Sequence, residues 1–274
     1  MSQVNRRILP GFGLSLGFTL TYLSVLVVIP LVAGIVTASS LSWSEFVAAV
    51  WTERARSAYL LSFGAAFVAA VISVAIGLLI AWVLVRYDFP LKRLFDALVD
   101  LPFALPTAVA GLVFASLYVP NGWFGQFLAP LGIEAAYSRL AIVLVLLFIG
   151  FPFVVRTLQP VLESMDAEVE EAAAALGASR WQTFRRIILP SIAPALVTGF
   201  ALSFARGLGE YGSVVFVSGN LPNKTEIAPV LIVARLEEFA YVQATAIAVV
   251  LLSASFLLLV AIALLERWSK RSER

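Results

Sequence analysis

Four stretches of the chain contain no Asp, Glu, Lys or Arg: residues 8–44, 57–85, 101–133 and 239–265, runs of 37, 29, 33 and 27 residues. Each exceeds the roughly 20 apolar residues that carry a helix across a bilayer. Two further apolar segments, about 139–159 and 191–217, are less clean. The hydrocarbon core admits only helices and closed barrels, because every backbone N–H and C=O there needs an internal partner. The runs are continuous rather than alternating, so helices are expected and barrel strands are not. An all-α integral membrane protein of six transmembrane helices follows, with spans at about 12–38, 58–85, 98–119, 139–159, 191–217 and 243–265. A signal peptide competes for residues 8–36, but that run is longer than the roughly 7–15 residues of a signal's apolar core, so a retained first span is expected. No repeat, low-complexity tract or linker divides the chain, and 1–274 read as one transmembrane domain.

Composition agrees. Apolar residues make up 61% and charged residues 13%, against about 25% charged in soluble domains. Cysteine and histidine are both absent, which removes disulfides, thiol redox chemistry, Cys/His zinc sites and a histidine base. The placement of the basic residues gives direction. Segments 1–7, 86–100, 156–190 and 266–274 hold 13 Lys/Arg, while 39–56, 120–139 and 206–238 hold 6. The positive-inside rule then puts both termini in the cytoplasm, with Arg6 and Arg7 opening the chain correctly. Trp43, Trp123 and Trp268 fall near expected span ends, where aromatic side chains anchor at the interface.

The longest inside connection, Arg156 to Pro190, reads as two short helices. Asp166, Glu168, Glu170 and Glu171 crowd the start of the first, where the macrodipole favours negative charge. Ala172 to Leu176 are strong helix formers, and Gly177 is free to take positive φ and close the helix. Ser179 with Gln182 matches a capping box for the second helix. Trp181, Phe184 and Ile188 follow at helical spacing, Arg185 and Arg186 sit in the last turn, and Pro190 is expected to end the element. An amphipathic hairpin lying on lipid is the alternative, but acidic residues argue against contact with an anionic surface. A docking surface for a soluble partner fits better.

Glu171-Ala172-Ala173, Gly177, Ile187 and Leu189-Pro190, at their observed spacing, resemble the EAA signature of ABC importer permeases. Residues Asp100 to Gly111, including Pro102 and Pro106, resemble the third span of the sulfate and molybdate permeases. Phe204 to Gly212 with Gly219-Asn220 resemble that family's R-x-L-G-E-[FY]-G … G-N stretch, and Val155 to Val161 is similar to its sulfate/thiosulfate members. The resemblance covers essentially the whole chain. It implies a type I ABC importer permease fold in a bacterial inner membrane, with a coupling loop at about 160–190 that enters a cleft of a cytoplasmic ATPase. Glu171 would make polar contact there, Ala172 and Ala173 would pack, Gly177 would form the turn, and Leu189 and Pro190 complete the signature. The implied partners are an ABC ATPase homodimer, a second permease (a related subunit or a second copy) and an external sulfate/thiosulfate-binding protein. ATP and Mg would belong to the ATPase; no cofactor, metal or nucleic acid is implied for this chain. Molybdate or tungstate is the nearest alternative cargo.

Four residues are candidates for a path or gate. Pro102 and Pro106, four apart, are expected to remove backbone bonds on one face of the third span; the helix either lines a water-filled path or carries a tolerated kink. From Ser191 to Ala205 is too short to span, so the fifth helix is expected to include Arg206 and Glu210 and to reach about Val217. Ionisable groups at that depth usually face the bundle interior, and this pair, four apart, can also neutralise itself. Anion attraction by Arg206 with a Glu210 gate, and a purely structural ion pair, are both open. Gly207 to Gly212 also fit G-x-G-x-x-G, but no βαβ unit surrounds them. A P-loop needs Gly before its Lys, and Lys92, Lys224 and Lys270 follow Leu, Asn and Ser. The chain is therefore not itself the ATPase. A secondary transporter would need its own coupling site, for which Glu210 is the one strong candidate; it would leave the inside loop unexplained.

Overall fold

The computed structural model describes residues 12–272, with side chains to residue 264; Arg6, Arg7 and the side chain of Trp268 lie outside the described residues. Every regular element among the described residues is helical. Five helices are long and apolar enough to cross a membrane: segment 1 (Phe12–Ser39), segment 2 (Glu53–Arg86), segment 4 (Arg139–Glu163), segment 5 (Arg180–Leu208) and segment 6, which runs Tyr241–Ser272.

The third segment is broken. After an amphipathic helix, Lys92–Val99, come Leu101–Ala104 and then Thr107–Tyr118, 12 residues long. The cause is Pro106, which disfavours helical geometry at the residue before it. Leu105 is extended at ψ 133° and Pro106 at ψ 132°. Pro102 behaves differently from expectation. It sits in the first turn of Leu101–Ala104, where a missing N–H leaves no bond unmade.

Segment 5 also departs from expectation, at both ends. Pro190 does not end a helix. Phe184–Ile188 form a π turn in which the Leu189 N–H bonds to the Phe184 carbonyl, and Leu189 and Pro190 simply open the next α-helical stretch. Widening the turn before the proline removes the need for a stop. The hairpin's second helix is therefore continuous with segment 5 over 29 residues. At the far end the helix stops at Leu208, so Glu210 lies beyond it and Val214–Val217 is a separate turn. Length sufficient for a crossing was gained at the start, and none was needed past Leu208. The same device occurs in segment 1, where the π turn Ser24–Val28 precedes Ile29 and Pro30.

Segments 2, 4 and 5 form the core. The buried face of segment 2 is Ala58, Ser62, Ala65, Ala66, Ala69, Ala70, Ser73, Gly77 and Ala81, small residues at spacings of three and four. Such a face lets neighbouring backbones approach closely, which drives packing where lipid offers no hydrophobic gain. Against it segment 4 sets Ile142, Val145, Leu146, Ile149, Val154 and Leu158, all buried. Val154 is the tightest point. A Cβ added at Gly77 would lie 2.7 Å from its side chain, and one at Gly199 would lie 3.0 Å from its Cα. Segment 1 stands apart, burying only Ala38 near its end and leaning on segment 6.

Candidate functional site

The turn of the hairpin satisfies its own backbone. Ala167–Ala175 closes in a Schellman motif, with the Ala178 N–H bonding to the Ala173 carbonyl at 3.0 Å and the Gly177 N–H to Ala174 at 3.0 Å. Gly177 adopts φ +81°, as the motif demands of its C′ residue. Ser179 and Gln182 then form a reciprocal capping box, the Ser179 N–H donating to Gln182 Oε1 at 2.7 Å. With the backbone paired internally, the side chains are free. Glu171 and Ala172 are exposed, Leu176 is 89% exposed and Trp181 is 66% exposed. Ala173 is not part of this surface. It is buried within the chain, because one residue along a helix turns a side chain by about 100°. Leu189 is half-buried and Pro190 exposed, at the start of the α-helical part of segment 5.

Arg206 and Glu210 are brought together at the opposite end of segment 5, with Pro106 beside them and Pro102 in the other piece of segment 3. Glu210 is 2% exposed and fully engaged. Its Oε1 accepts from the Ser213 N–H at 3.0 Å and the Ser213 hydroxyl at 2.9 Å, while Oε2 pairs with the Arg206 guanidinium. Arg206 keeps about a third of its side chain accessible, at 35%. The turn that holds Glu210 is pressed onto the outer piece of the broken segment. A Cβ on Gly212 would lie 2.2 Å from the Thr107 hydroxyl, and one on Gly111 would lie 2.3 Å from the Ser213 carbonyl. Pro106 thus borders the Arg206–Glu210 turn, whereas Pro102 is buried in the other piece.

That other piece is held by residues that sequence reasoning passed over. Arg156, on segment 4, donates from Nε to Asp100 Oδ1 at 2.8 Å and from Nη2 to Asp100 Oδ2 at 2.6 Å. It also donates to the Asp96 carboxylate at 2.7 Å, the Asp96 carbonyl at 2.8 Å and Gln159 Oε1 at 2.6 Å. The Gln159 amide donates in turn to Asp96 at 2.9 Å, and this bond, followed by Arg156, holds the Asp96 carboxyl below its ordinary range. Two further pairs join distant parts. Arg86 at the end of segment 2 pairs with Glu170 of the hairpin, and Arg54 forks onto the buried Glu226 with two bonds of 2.7 Å. The available signal was the i,i+4 placement of Asp96 and Asp100 and the i,i+3 placement of Arg156 and Gln159, each pair on one helix face.

Residues 73–271 match the family model described as the binding-protein-dependent transport system inner membrane component. The chain is 50% identical over 268 residues to the sulfate transport system permease protein CysT of Salmonella typhimurium, covering 97% of each. It is 48% identical to the protein of that name in Escherichia coli, again over 97% of each. Among solved structures it is similar to a bacterial ABC transporter that imports the acidic polysaccharide alginate, with a TM-score of 0.75 at 15% identity, covering 91% of this chain and 92% of that one. At that identity the likeness speaks for the fold. A second structure of an alginate transporter, in complex with an alginate pentasaccharide-bound periplasmic protein, gives a TM-score of 0.74 at 17% identity over 90% and 91% of the two chains.

Proposed function

The chain belongs to the inner-membrane components of binding-protein-dependent transport systems, and from that premise we propose that it is the permease subunit of an ATP-driven importer of sulfate, with thiosulfate as a second cargo. The carrying observation is identity at half of all positions with a sulfate permease over 97% of both chains. The chain contributes a path and a docking element. ATP and Mg²⁺ are held by two copies of a cytoplasmic ATPase, a second permease (related, or another copy) completes the channel, and an external binding protein delivers the anion.

In this reading the chain crosses the bilayer six times, segment 3 crossing as two pieces, with both termini and the hairpin on the cytoplasmic side. The basic-residue distribution supports that orientation. Glu171, Ala172, Leu176 and Trp181 form the surface that meets the ATPase. Because the hairpin is continuous with segment 5, closure of the ATPase pair moves a rod about 43 Å long. The far end of that rod carries Arg206, whose accessible edge attracts a dianion, while Glu210 fixes the turn that presses on Thr107–Tyr118. Opening between that piece and its neighbours exposes the path outward. No bond in the substrate is made or broken.

The test is radiolabelled sulfate uptake into proteoliposomes holding both permeases, the ATPase and the binding protein. Uptake is expected to require ATP on the hairpin side, to resist excess molybdate, and to collapse in Gly177→Val, which puts a β-branched residue at positive φ. Uptake that follows an ion gradient without ATP overturns the reading, and competition by molybdate reassigns the cargo.

A further inference from the structure

The helix Ala167–Ala175 buries a single residue, Ala173, so apolar packing does little to orient it. Among the described residues its one ion pair is Glu170 with Arg86. Glu170 precedes Glu171 by one position, so when Glu171 faces solvent, Glu170 faces the end of segment 2. The Arg86 guanidinium also lies over the Trp82 ring, 5.3 Å from its centroid. Trp82 in turn meets Phe184 edge to face at 6.0 Å, and Phe184 stacks on Trp181 at 5.7 Å. One turn of segment 2, residues 82 and 86, therefore holds both helices of the hairpin. The Arg86 Nε is buried without an acceptor, which leaves the Glu170 carboxylate as that guanidinium's one hydrogen-bond acceptor among the described residues.

We propose that Arg86, seated on Trp82, is a positioning residue for energy coupling: it fixes the pose of the hairpin and transmits hairpin motion to segment 2 as well as to segment 5. The proposal rests on the permease reading above. Without it, the hairpin would drive only the two segments it joins, 4 and 5, and segment 2 would have to follow passively through its small-residue interface with segment 4. With it, segment 2 is driven together with the two segments that the hairpin joins.

The experiment uses the reconstituted complex with Arg86→Gln, Glu170→Gln and the exchange Arg86→Glu/Glu170→Arg. The ATPase is expected to co-purify with each, and ATP hydrolysis to persist. Sulfate carried per ATP is expected to fall about tenfold in either single variant and to recover at least partly in the exchange, as interacting charges do in a double-mutant cycle. Unchanged stoichiometry in the single variants overturns the proposal, as does an exchange no better than either. A second readout is independent of transport. The chain has no native cysteine, so spin labels at Leu176→Cys and Leu79→Cys report the hairpin-to-segment distance alone. That distribution is expected to broaden in Arg86→Gln, and an unaltered one also overturns the proposal. Absence of ATP-driven uptake in the unmodified complex instead defeats the permease reading, while the label distances still decide whether Arg86 sets the pose. Should Arg86→Gln fail to assemble, Glu170→Gln on the hairpin carries both measurements.

Discussion

Glu171 and Glu210 lie just beyond opposite ends of the same helical rod and live opposite lives. Glu171 is exposed and has no ion pair among the described residues, on a hairpin whose turn is capped by its own residues. Glu210 is buried, with Ser213 and Arg206 occupying both its oxygens. A carboxylate left free on rigid backbone is available to another protein. One that accepts every nearby donor is spent on holding its own turn together. On the proposed function, the difference separates a surface for recognition from a joint, although both sites carry the same side chain.

The sharpest way to break that contrast is Glu210→Ala. It strands two buried Ser213 donors and a guanidinium, and a loss of about 3 kcal/mol is expected, read as a lower melting temperature in detergent and poor membrane yield. Gly111→Ala attacks the same joint from the facing helix. Its new methyl meets the Ser213 carbonyl, so about 1–3 kcal/mol of overpacking strain is expected, with Ala108→Ser on the same helix as the mild control. At the other end Glu171→Ala is expected to leave stability within about 0.5 kcal/mol of the parent, as for surface positions generally. ATPase co-purification should nevertheless weaken. Equal stability losses at Glu171 and Glu210 would erase the distinction drawn between them.

The smallest effect concerns acid. Asp96 is held below its ordinary range by Gln159 and Arg156. Its charged form is favoured in the folded state, so its contribution is complete above the unfolded carboxyl value, about 3.9. That contribution is lost as pH falls through the lower folded value. Melting temperatures below about pH 4 should therefore decline more steeply in the parent than in Asp96→Asn. The carboxylate is partly exposed, and the slope difference should be small.

Much of the fold was legible because its signals are local. Charge-free runs mark segments 1, 2 and 6, and the turn at Gly177 and the Ser179–Gln182 cap are written within a few residues. What escaped was of two kinds. The Arg156 bonds to Asp100 and Asp96 join residues 56 and 60 positions apart, and nothing in either neighbourhood names the other. The proline signals were visible but their consequences depended on geometry upstream. Pro190 looked like a stop because a π turn five residues long leaves no compositional mark, and Pro102 looked like a kink because the new helix starting at Leu101 was not evident. Glu210 was expected on the helix, yet Gly209 ends it first.

The π turn at Phe184–Ile188 also sets a clock angle. One extra residue in a helix advances everything beyond it by about 100°. Removing a single residue there would restore an ordinary α-helix, leaving the membrane portion of segment 5 untouched while swinging Glu171 and Leu176 about a quarter-turn around its axis. On the proposed function, the docking face is thus addressed by rotation as well as by chemistry. On that reading, such an importer can be disconnected from its motor by a change in phase, with every side chain of the docking face still present.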